Sequence, residues 1–471
     1  MATTPWFRRR PKELEREQAR VLREWLRGEV LPFNRFWAAR LRGVEKAVSH
    51  VGALDVVPVA DEADLAGVGG PGNPGLVLSP TEDQFKRHAR RGDLLDAARR
   101  AGGSGATGRR QALWYRYKPV HVHEAGVERL LAIAYTRADL DLLHLGGARL
   151  AEVMGWGAED ALVNLVPAGP SVRFWGLYHA ALATRMTALH PRGAGQPALA
   201  AARRGFALLP ASILAAPVGE LEAVLGELAD AGVTSPNLRM VAPVGPPPSP
   251  ETRVRLVELA ERIAGRPVQV QAIWAPETSR VLYGEAPAAA DDPPEATYGL
   301  LTYPDLELLQ VRRPGIATTD REGGEGELVV TSLGWRGTAL IRLATGAWVG
   351  GIESRTVHPV TGATVPRIAP QVADAAWQPR VRTAVGTVRV DLRGADRVVA
   401  DGTATIPVRD WSLRVVDEVL VLALDVERPP DDGTVRALAT RVGEAVGAIP
   451  DVRLDPALAA ARPQVGDAGP G

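Results

Sequence analysis

A glycine-rich run in the first quarter of the chain has the composition of an anion-binding loop. It reads Gly102-Gly103-Ser104-Gly105-Ala106-Thr107-Gly108-Arg109-Arg110. Small residues let backbone N–H groups approach a phosphate closely, and the Ser and Thr hydroxyls add further donors. The lysine that usually completes a phosphate loop is absent from the run. The composition predicts phosphate binding, and a flexible turn without a ligand is the alternative.

Two active-site motifs come close to this run without matching it. A phosphate loop of the form G-x-x-x-x-G-K-[ST] would use Gly103 and Gly108, but Arg109 and Arg110 replace the lysine and the magnesium-binding hydroxyl. A nucleophile elbow, G-x-S-x-G, would span 102–106, where the last residue is alanine. The elbow also needs a strand directly before its serine, and a helical pattern precedes the run. We therefore exclude both motifs.

Composition and charge exclude further classes of function. With 471 residues the chain is too long for one ordinary core, so two or three domains are expected. Lys+Arg and Asp+Glu are both 55, which gives no indication of binding to nucleic acid or to a membrane. The sequence contains no cysteine, which excludes disulfides, thiolate zinc sites and cysteine nucleophiles. Without an apolar signal core or a membrane-spanning run, we expect a cytoplasmic protein.

Short apolar strands alternate with helical stretches through the middle of the chain. An aromatic-rich strand is predicted at Ala112–Val120. Further strands are predicted at Ala161–Val166, Ala207–Leu209, Leu238–Ala242 and Val268–Trp274, and helices near 126–153, 174–186, 218–231 and 250–264. This alternation predicts a largely parallel sheet that is covered by helices on both faces.

The pattern changes in the last third of the chain, where short strands with turn residues follow Tyr298. We predict an α/β fold with a large N-terminal domain at 1–375, which includes a β-rich subdomain at about 298–368. A small α+β C-terminal domain follows at 383–458. The Ala/Gly/Pro-rich tail at 459–471 is expected to fray.

Several segments, taken in order, resemble one enzyme superfamily. They are Leu31–Phe36, the run Ser104–Arg109 (compare T-S-G-T-T-G-K-P), Phe174–His179, Val244–Glu251 (compare G-G-E-P-L-S-P-E), Gly326–Leu333 (compare G-E-L-V-x-T-x-L) and Ile341–Trp348 (compare I-R-Y-R-T-G-D-L). From about residue 15 to 457 the chain resembles the phenylacetate–CoA ligase branch of the adenylate-forming superfamily. That resemblance implies a large adenylate-forming domain followed by a small mobile one.

The resemblance also implies a reaction and a set of binding residues. The family converts MgATP and a carboxylate to an acyl-adenylate and then forms a thioester with CoA. The residues that correspond to its nucleotide site are Ser104, Gly105, Thr107, Gly108, Arg109, Gly245, Trp274, Glu277, Thr278 and Arg342. For Arg342 a surface ion pair is the alternative. Trp175, Tyr178 and His179 correspond to the acyl pocket, with ordinary helix packing as the alternative.

Several positions depart from the family pattern. Ala347 stands where the T-G-D-L motif has its ribose-binding Asp, and Pro246 replaces the acidic residue of the adenine turn. Thr278 stands where Y-G-x-T-E has its metal-associated Glu. Glu277 lies one residue earlier and would point to the opposite side of an extended segment. No metal site is evident from these residues.

The catalytic lysine that the resemblance places near the C-terminus has no counterpart. The last lysine is Lys118, and the only basic residue after Arg453 is Arg462, whose planar guanidinium does not replace an ammonium group. Loss of one preorganised electrostatic group typically lowers a rate by roughly 10²–10³. We therefore expect adenylation to be impaired or lost.

Two histidines are the remaining candidates for metal binding. His121 and His123 are two residues apart, so on a strand both imidazoles would lie on one face. A metal site needs a third ligand, and none is near in the sequence. We therefore expect both histidines in a surface loop at the start of a helix.

Two functional hypotheses follow from the sequence. The first is a protein that resembles an ATP-dependent acyl- or aryl-CoA ligase, with ATP, AMP, Mg²⁺ and CoA implied by the resemblance and a small carboxylic acid as substrate. The second is a non-catalytic relative that binds a nucleotide, an acyl group or a protein partner. Activity confined to the thioester step is a third possibility, because that step does not require the missing lysine.

Overall fold

The structure is a computed structural model of the chain. It describes residues 6–455 except 44–50, 61–63, 66–67, 69–74, 90–91, 93–94, 96–98, 100–104, 126–130, 194–195, 290–291, 294–295, 314–318, 354–356, 359, 374–379, 384–385, 390–407, 417–418, 427 and 447. The predicted tail at 459–471 lies outside these residues. No helix in the described part of the chain is long and apolar enough to cross a bilayer.

The helices are numbered in chain order. They are α1 (Pro11–Trp25), α2 (Leu31–Phe33), α3 (Arg35–Arg40), α4 (Glu82–His88), α5 (Gly105–Tyr117), α6 (Arg137–Met154), α7 (Val172–Thr184), α8 (Ala198–Leu208), α9 (Val218–Asp230), α10 (Pro250–Ala264) and α11 (Asp432–Val446). A π-helical turn, Leu26–Val30, joins α1 to α2, and 3-10 turns occur at Trp6–Arg8 and Val51–Val56.

The strands follow the same order. They are β1 (Pro119–Ala125), β2 (Leu131–Thr136), β3 (Ala161–Asn164), β4 (Thr187–Leu189), β5 (Ile213–Pro217), β6 (Met240–Val244), β7 (Gln269–Val270), β8 (Ile273–Trp274), β9 (Tyr283–Gly284), β10 (Leu300–Leu301), β11 (Glu307–Arg312), β12 (Thr319–Asp320), β13 (Gly326–Ser332), β14 (Leu343–Val349), β15 (Ile352–Glu353), β16 (Arg367–Ile368), β17 (Val372–Ala373), β18 (Arg380–Thr383), β19 (Gly386–Arg389), β20 (Val408–Val416), β21 (Val419–Val426) and β22 (Asp451–Leu454).

The central sheet has the strand order β4-β3-β5-β6-β8-β9, with β7 also paired to β6. Its strands run parallel except β9, which pairs antiparallel with β8. One apolar cluster joins this sheet to α8, α9 and α10, and its members Leu214, Leu225 and Leu256 are fully buried. The predicted parallel sheet is thus confirmed, and α10 begins and ends where the sequence pattern predicted a helix.

The prediction of a strand at Ala112–Val120 was wrong, because residues 112–117 form the second half of α5 and only the last two residues belong to β1. Pro119 explains the boundary. A proline disfavours helical geometry at the residue before it and is tolerated at the first position of a strand. The helix that carries these aromatic residues therefore ends at Tyr117, before Pro119.

Two other predicted elements also differ. The stretch 126–153, predicted as one helix, contains β2 before α6 begins at Arg137. Thr136 and Asp139 form a capping box there: the Asp139 amide donates to Thr136 Oγ1 at 3.2 Å, and the Thr136 amide donates to Asp139 Oδ2 at 2.9 Å. This cap fixes the helix start. The strand predicted at Ala207–Leu209 is the end of α8, and the parallel strand next to it is β5.

The strands predicted after residue 298 are present, and the pairs among β10–β13, β15 and β16 are antiparallel. Strand β11 pairs with β12 on one side and with β13 on the other. Strand β16 lies between β10 and β15 and is antiparallel to both. All seven residues of β13 are buried, including the polar Glu327, Thr331 and Ser332.

The backbone contacts divide the chain into two compact units. The first unit comprises Met1–Thr345 with Val349–Val372, and the second comprises Gly346–Trp348 with Ala373–Gly471. Within the second unit, β20 pairs antiparallel with β21, β21 pairs parallel with β22, and β18 and β19 form a hairpin. The predicted domain limits at 375 and 383 remain a prediction.

Glycines allow α6 and α7 to pack in direct backbone contact. A methyl group at Gly147 of α6 would lie 2.6 Å from the backbone nitrogen of Ala180 and 2.7 Å from the carbonyl carbon of His179 in α7. At Gly176 of α7 it would lie 2.6 Å from Leu282 Cδ1. These distances are below any real van der Waals contact, so only glycine permits this position of α7.

We expect Gly147→Ala to destabilise the protein by roughly 1–3 kcal/mol, because the added methyl group forces α7 away from α6. Gly226→Ala in α9 is the matched control, since no atom lies within 4 Å of its added methyl group. There the better helix propensity of alanine is expected to stabilise by up to about 1 kcal/mol. Urea unfolding measures both changes, and equal effects of the two substitutions would contradict the close packing.

Candidate functional site

The carboxyl ends of β3, β5, β6 and β8 meet at one edge of the parallel sheet. In open sheets of this kind, ligands bind in the crevice outside the carboxyl ends of the strands. Gly245 follows β6 directly, and the segment Ala275–Arg280 follows β8. The structure therefore brings Gly245, Trp274, Glu277 and Thr278 to the edge where a ligand site is expected.

Gly245 holds a turn that only glycine can form here. Its φ is +144°, and a methyl group in its place would lie 2.7 Å from Val218 Cγ1. Its amide donates to the Ile273 carbonyl at 2.8 Å. The turn after β6 is thereby fixed against β8, close to the end of β5 at Val218.

The segment after β8 carries the position at which the family pattern predicts a metal-associated Glu. Trp274 is fully buried, and Glu277 is half-buried. Thr278 is 1% exposed, and its hydroxyl has no hydrogen-bond partner among the described residues. A neutral hydroxyl at this place does not supply the carboxylate that Mg²⁺ prefers. The donor set therefore does not fit a magnesium ion here.

No other metal site replaces it in the described ranges, where no three His, Asp or Glu side chains are grouped as ligands. Ala347, at the position of the ribose-binding Asp, lies in β14 and is 1% exposed.

Arg280 joins the turn after β8 to β2. Its guanidinium lies 4.9 Å from the centre of the Tyr135 ring and 5.0 Å from that of Trp335. It donates to the carbonyls of Ala134, at 3.3 Å, and Thr338. The side chain is fully buried. A buried cation held by two aromatic faces and two carbonyls fixes both segments relative to each other.

Glu307 of β11 holds the same turn from the other side. Its carboxylate accepts hydrogen bonds from the Arg280 amide and from Ser279 Oγ, both at 2.9 Å, and from the Tyr283 hydroxyl. Burial raises the pKa of Glu307, and these three donors oppose that rise. The geometry of the turn after β8 therefore depends on residues more than twenty positions away.

The prediction that His121 and His123 lie in a surface loop was wrong. Both lie on one face of β1, and His123 is 2% exposed. Strand β1 pairs with β2, and the Glu124 amide donates to the Pro170 carbonyl at 2.9 Å. This bond holds β1 beside the start of α7.

The predicted acyl-pocket residues meet these histidines. Trp175 lies in the first turn of α7, and its ring centre is 4.6 Å from that of His121. The rings of His123 and Tyr135 are 4.4 Å apart, and those of His121 and His123 are 4.6 Å apart. We call His121, His123, Tyr135, Trp175 and His179 the histidine cluster. The other predicted pocket residue, Tyr178, packs against His190 with ring centres 5.5 Å apart.

The histidine cluster contains several polar atoms without partners. Within the described ranges, four ring nitrogens have no hydrogen-bond partner: His121 Nε2, both ring nitrogens of His123, and His179 Nδ1. The Tyr135 hydroxyl likewise has no partner at normal hydrogen-bond geometry. Burial, together with the neighbouring His121, Arg280 and His179, lowers the pKa of His123 to about 2. Burial also lowers the pKa of His179 to about 4. These imidazoles are therefore neutral near pH 7.

Arg342 is buried and forms an ion pair with Asp55, with the nitrogen and oxygen 3.7 Å apart, and its nucleotide-binding role remains a prediction. It is 1% exposed, so it is not a surface residue. Its guanidinium donates to the carbonyls of Leu54, at 2.8 Å, and Val57, and to Thr319 Oγ1 at 2.7 Å. These contacts tie the segment 51–57 to the β-rich part of the chain. Burial lowers the pKa of Arg342.

The glycine-rich run is only partly described. Ser104 lies outside the described residues, whereas Gly105, Thr107, Gly108 and Arg109 form the first turns of α5. The run is therefore helical from Gly105 onward, and not a loop throughout its length. The phosphate-binding roles of these residues remain a prediction.

Sequence reasoning missed His121, His123, Tyr135 and Arg280 as residues of this region. The alternation His-x-His was the one available signal, since it places two imidazoles on one face of a strand. Tyr135 and Arg280 carry no motif. Only pairing between distant segments brings them to the cluster.

The fold is that of adenylate-forming acyl-CoA ligases, and the predicted α/β fold of this class is confirmed. The likeness is structural, because the sequence identities are below 20%. No protein-family model matches the sequence. No curated protein sequence matches it either.

The similar structures include three of 2-hydroxyisobutyryl-CoA ligase. In the postadenylation state with 2-HIB-AMP, the ligase is 15% identical, with 95% of this chain and 86% of that chain covered and a TM-score of 0.62. The complex with R3-HIB-AMP gives 17%, the same coverage and a TM-score of 0.61. The open conformation with 2-HIB-AMP and CoA gives 16%, coverage of 95% and 88%, and a TM-score of 0.59.

We expect Arg280→Met to lower the free energy of unfolding by roughly 2–5 kcal/mol, because two buried carbonyls lose their donor and Glu307 loses a nearby cation. Arg262→Met is the control, since Arg262 forms an exposed ion pair with Asp230 and should cost less than about 1 kcal/mol. Denaturant unfolding measures both substitutions. A cost at Arg280 no larger than that at Arg262 would contradict the anchoring role.

The buried His123 predicts a specific pH dependence of stability. Since its pKa is about 2 in the folded protein and about 6.5 when unfolded, lowering the pH below 6.5 protonates only the unfolded chain. Stability is therefore lost as the pH falls. Between pH 7 and 5 the wild-type protein should lose about 2 kcal/mol more than His123→Leu. Urea unfolding at both pH values measures this, and parallel pH profiles would refute it.

Proposed function

We propose that this chain is a phenylacetate–CoA ligase-like protein that binds a carboxylic acid and an adenine nucleotide at the carboxyl edge of its parallel sheet, with impaired adenylation. The acyl-CoA ligase fold supports the choice of ligands. The similar ligase binds an acyl-adenylate and CoA within this fold. We therefore assign the same ligand classes, a carboxylic acid, ATP or AMP, and CoA, to this chain.

The proposal that adenylation is impaired rests mainly on the neutral side chain of Thr278. The transition state of adenylation concentrates negative charge on phosphates, and catalysis needs a cation held beside them. Thr278 offers a buried neutral hydroxyl at the position of the metal-associated Glu. Ala347 likewise offers no acceptor to a ribose. These two side chains remove charge and hydrogen bonding without removing the binding surface.

The backbone elements that would hold a nucleotide are retained. The turn at Gly245 is held against β8 by its hydrogen bond to Ile273, and Trp274 is fully packed behind it. In our proposal Gly245, Trp274, Glu277 and Thr278 surround the adenine and phosphates, and residues 104–109 bind the phosphates, as the sequence resemblance implies. Arg342 has a supporting role, because its guanidinium is already occupied by carbonyls and a hydroxyl.

A second candidate is activity confined to the thioester step. An acyl-adenylate supplied from outside would need no phosphate chemistry from Thr278 and no lysine. The similar ligase structure that holds both 2-HIB-AMP and CoA supports this candidate. A preformed acyl-adenylate added with CoA tests it directly, because thioester formation is measured without ATP.

Binding and turnover are measured together to test the main proposal. We expect AMP and ATP to raise the melting temperature, and pyrophosphate release with a panel of carboxylic acids to be at least about 10²-fold slower than the 1–10³ s⁻¹ typical of enzymes. Release at ordinary enzyme rates would overturn impairment. Failure of every nucleotide to bind would overturn the proposed ligands.

Thr278→Glu tests the stated cause of impairment. The substitution returns a carboxylate to the position of the metal-associated Glu, and we expect Mg²⁺-dependent pyrophosphate release to rise roughly 10-fold or more. Thr278→Gln is the matched control, since glutamine has nearly the same size as glutamate but carries no charge. The gain stays below the full effect of one group because residues that act as a unit are not additive. An equal response of the two variants would argue against the carboxylate.

A further inference from the structure

The histidine cluster forms where three separate segments converge in the first unit. His121 and His123 come from β1, Tyr135 from β2, and Trp175 and His179 from α7. The ring centres of His121 and Trp175, and those of His123 and Tyr135, are 4.6 and 4.4 Å apart. His121, His123, Tyr135 and Trp175 thus lie side by side across the contact between the β1–β2 hairpin and α7, and His179 lies one helical turn after Trp175 on α7.

The cluster has hydrogen-bonding capacity that the described protein atoms do not use. Nearly all buried polar groups in folded proteins have a partner. His123 is 2% exposed, yet neither of its ring nitrogens has a partner in the described part of the chain. The buried nitrogens His121 Nε2 and His179 Nδ1 are in the same condition. An arrangement that leaves these groups unpaired is destabilising unless a ligand completes it.

The missing partner is a neutral group that both donates and accepts. A neutral imidazole presents one N–H donor and one acceptor nitrogen. A hydroxyl group matches both, whereas a methyl group matches neither and a carboxylate only accepts. Burial disfavours the charged form of these histidines, so they offer no positive charge that would attract a ligand with a carboxylate at this end. Among the functional groups of a carboxylic acid ligand, a hydroxyl group therefore fits best, and a water molecule is the alternative occupant that the test must exclude.

The cluster is connected to the turn after β8 through Arg280. The Arg280 guanidinium lies over the Tyr135 ring at 4.9 Å, and the unpaired hydroxyl of Thr278 is two residues earlier in the chain. In the proposed function that turn holds the nucleotide end of the ligand. The cluster is therefore placed to meet the acyl end of the same ligand.

We propose that the histidine cluster binds the hydroxyl group of a hydroxylated carboxylic acid and selects that acid against its apolar isostere. This inference rests on the proposed function, since it assigns the acyl end of the same site. His123 is the main hydrogen-bonding residue, and Trp175 and Tyr135 pack beside the imidazoles. The shared chemistry is an acyl group that bears a hydroxyl, either on an aromatic ring or next to the carboxylate.

Two isosteric pairs of acids test the selection and distinguish the two sources of the hydroxyl. One pair is para-hydroxyphenylacetate with para-methylphenylacetate, and the other is 2-hydroxyisobutyrate with pivalate. Calorimetric titration of the free acids, with AMP present, needs no adenylation. In at least one pair we expect the hydroxylated acid to bind roughly 10- to 100-fold more tightly. The pair that shows the difference identifies the position of the hydroxyl.

His123→Leu removes both ring nitrogens while it keeps an apolar side chain of similar volume. We expect the affinity ratio within the selected pair to fall to about 1 and the melting temperature of the free protein to rise, because two unpaired buried nitrogens are lost. This combination separates a binding role from a folding role. His358→Leu is the matched control.

The control histidine is also buried but lies outside the cluster. His358 is 1% exposed, its Nδ1 accepts hydrogen bonds from the amides of Val360 and Thr361, and its Nε2, like the cluster nitrogens, has no partner among the described residues. Its replacement should lower the melting temperature and leave the affinity ratio unchanged. A ratio that changes equally in both variants would overturn the assignment to the cluster.

The remaining outcomes are also decisive. Equal affinities within both pairs, as expected if only water fills the cluster, or tighter binding of the apolar acids, would overturn the inference and leave the proposed function standing. If AMP binds but none of the acids binds, the assignment of the cluster to the acyl group would be overturned. Failure of both the acids and the nucleotides to bind would overturn the proposed function as well.

Discussion

The position of the candidate site depends on one buried cation. Arg280 follows the last parallel strand of the sheet, and its guanidinium lies between the rings of Tyr135 and Trp335 while it donates to two carbonyls. Its own amide is held by Glu307. Buried charge is tolerated only where such partners surround it. Through this residue, the turn after β8, the β1–β2 hairpin and the segment around Trp335 form one rigid arrangement.

A second constraint is the close approach of α6 and α7. Gly147 leaves room for the backbone of α7 at His179 and Ala180, and this contact sets the position of Trp175 and His179 relative to β1. The packing is tight, yet polar atoms of the histidine cluster beside it have no partner among the described residues. Unpaired polar atoms lower stability at the place where we propose that the ligand binds, and such a cost is common at binding sites.

The proposed function combines the fold of acyl-CoA ligases with altered chemistry at the nucleotide site. The turn at Gly245 keeps the geometry that lets a ligand approach the sheet. Thr278 and Ala347, in contrast, offer no charge where the family pattern has carboxylates. Arg342 is used to hold the segment 51–57. Under the proposed function, a binding surface persists without the groups that accelerate phosphate chemistry, because binding and rate acceleration depend on different side chains.

The sequence by itself determined the layer architecture and the class of fold. Strands of four or five apolar residues separated by helices such as α10 specify a covered parallel sheet, because the two periodicities are local properties. Tertiary structure alone decided that His121 and His123 are buried, since their environment depends on the pairing of β1 with β2 and on the bond from Glu124 to Pro170. The same holds for Arg280 and Arg342, whose partners lie far away in the sequence. Burial and pairing are set by distant segments, and therefore no local pattern predicts them.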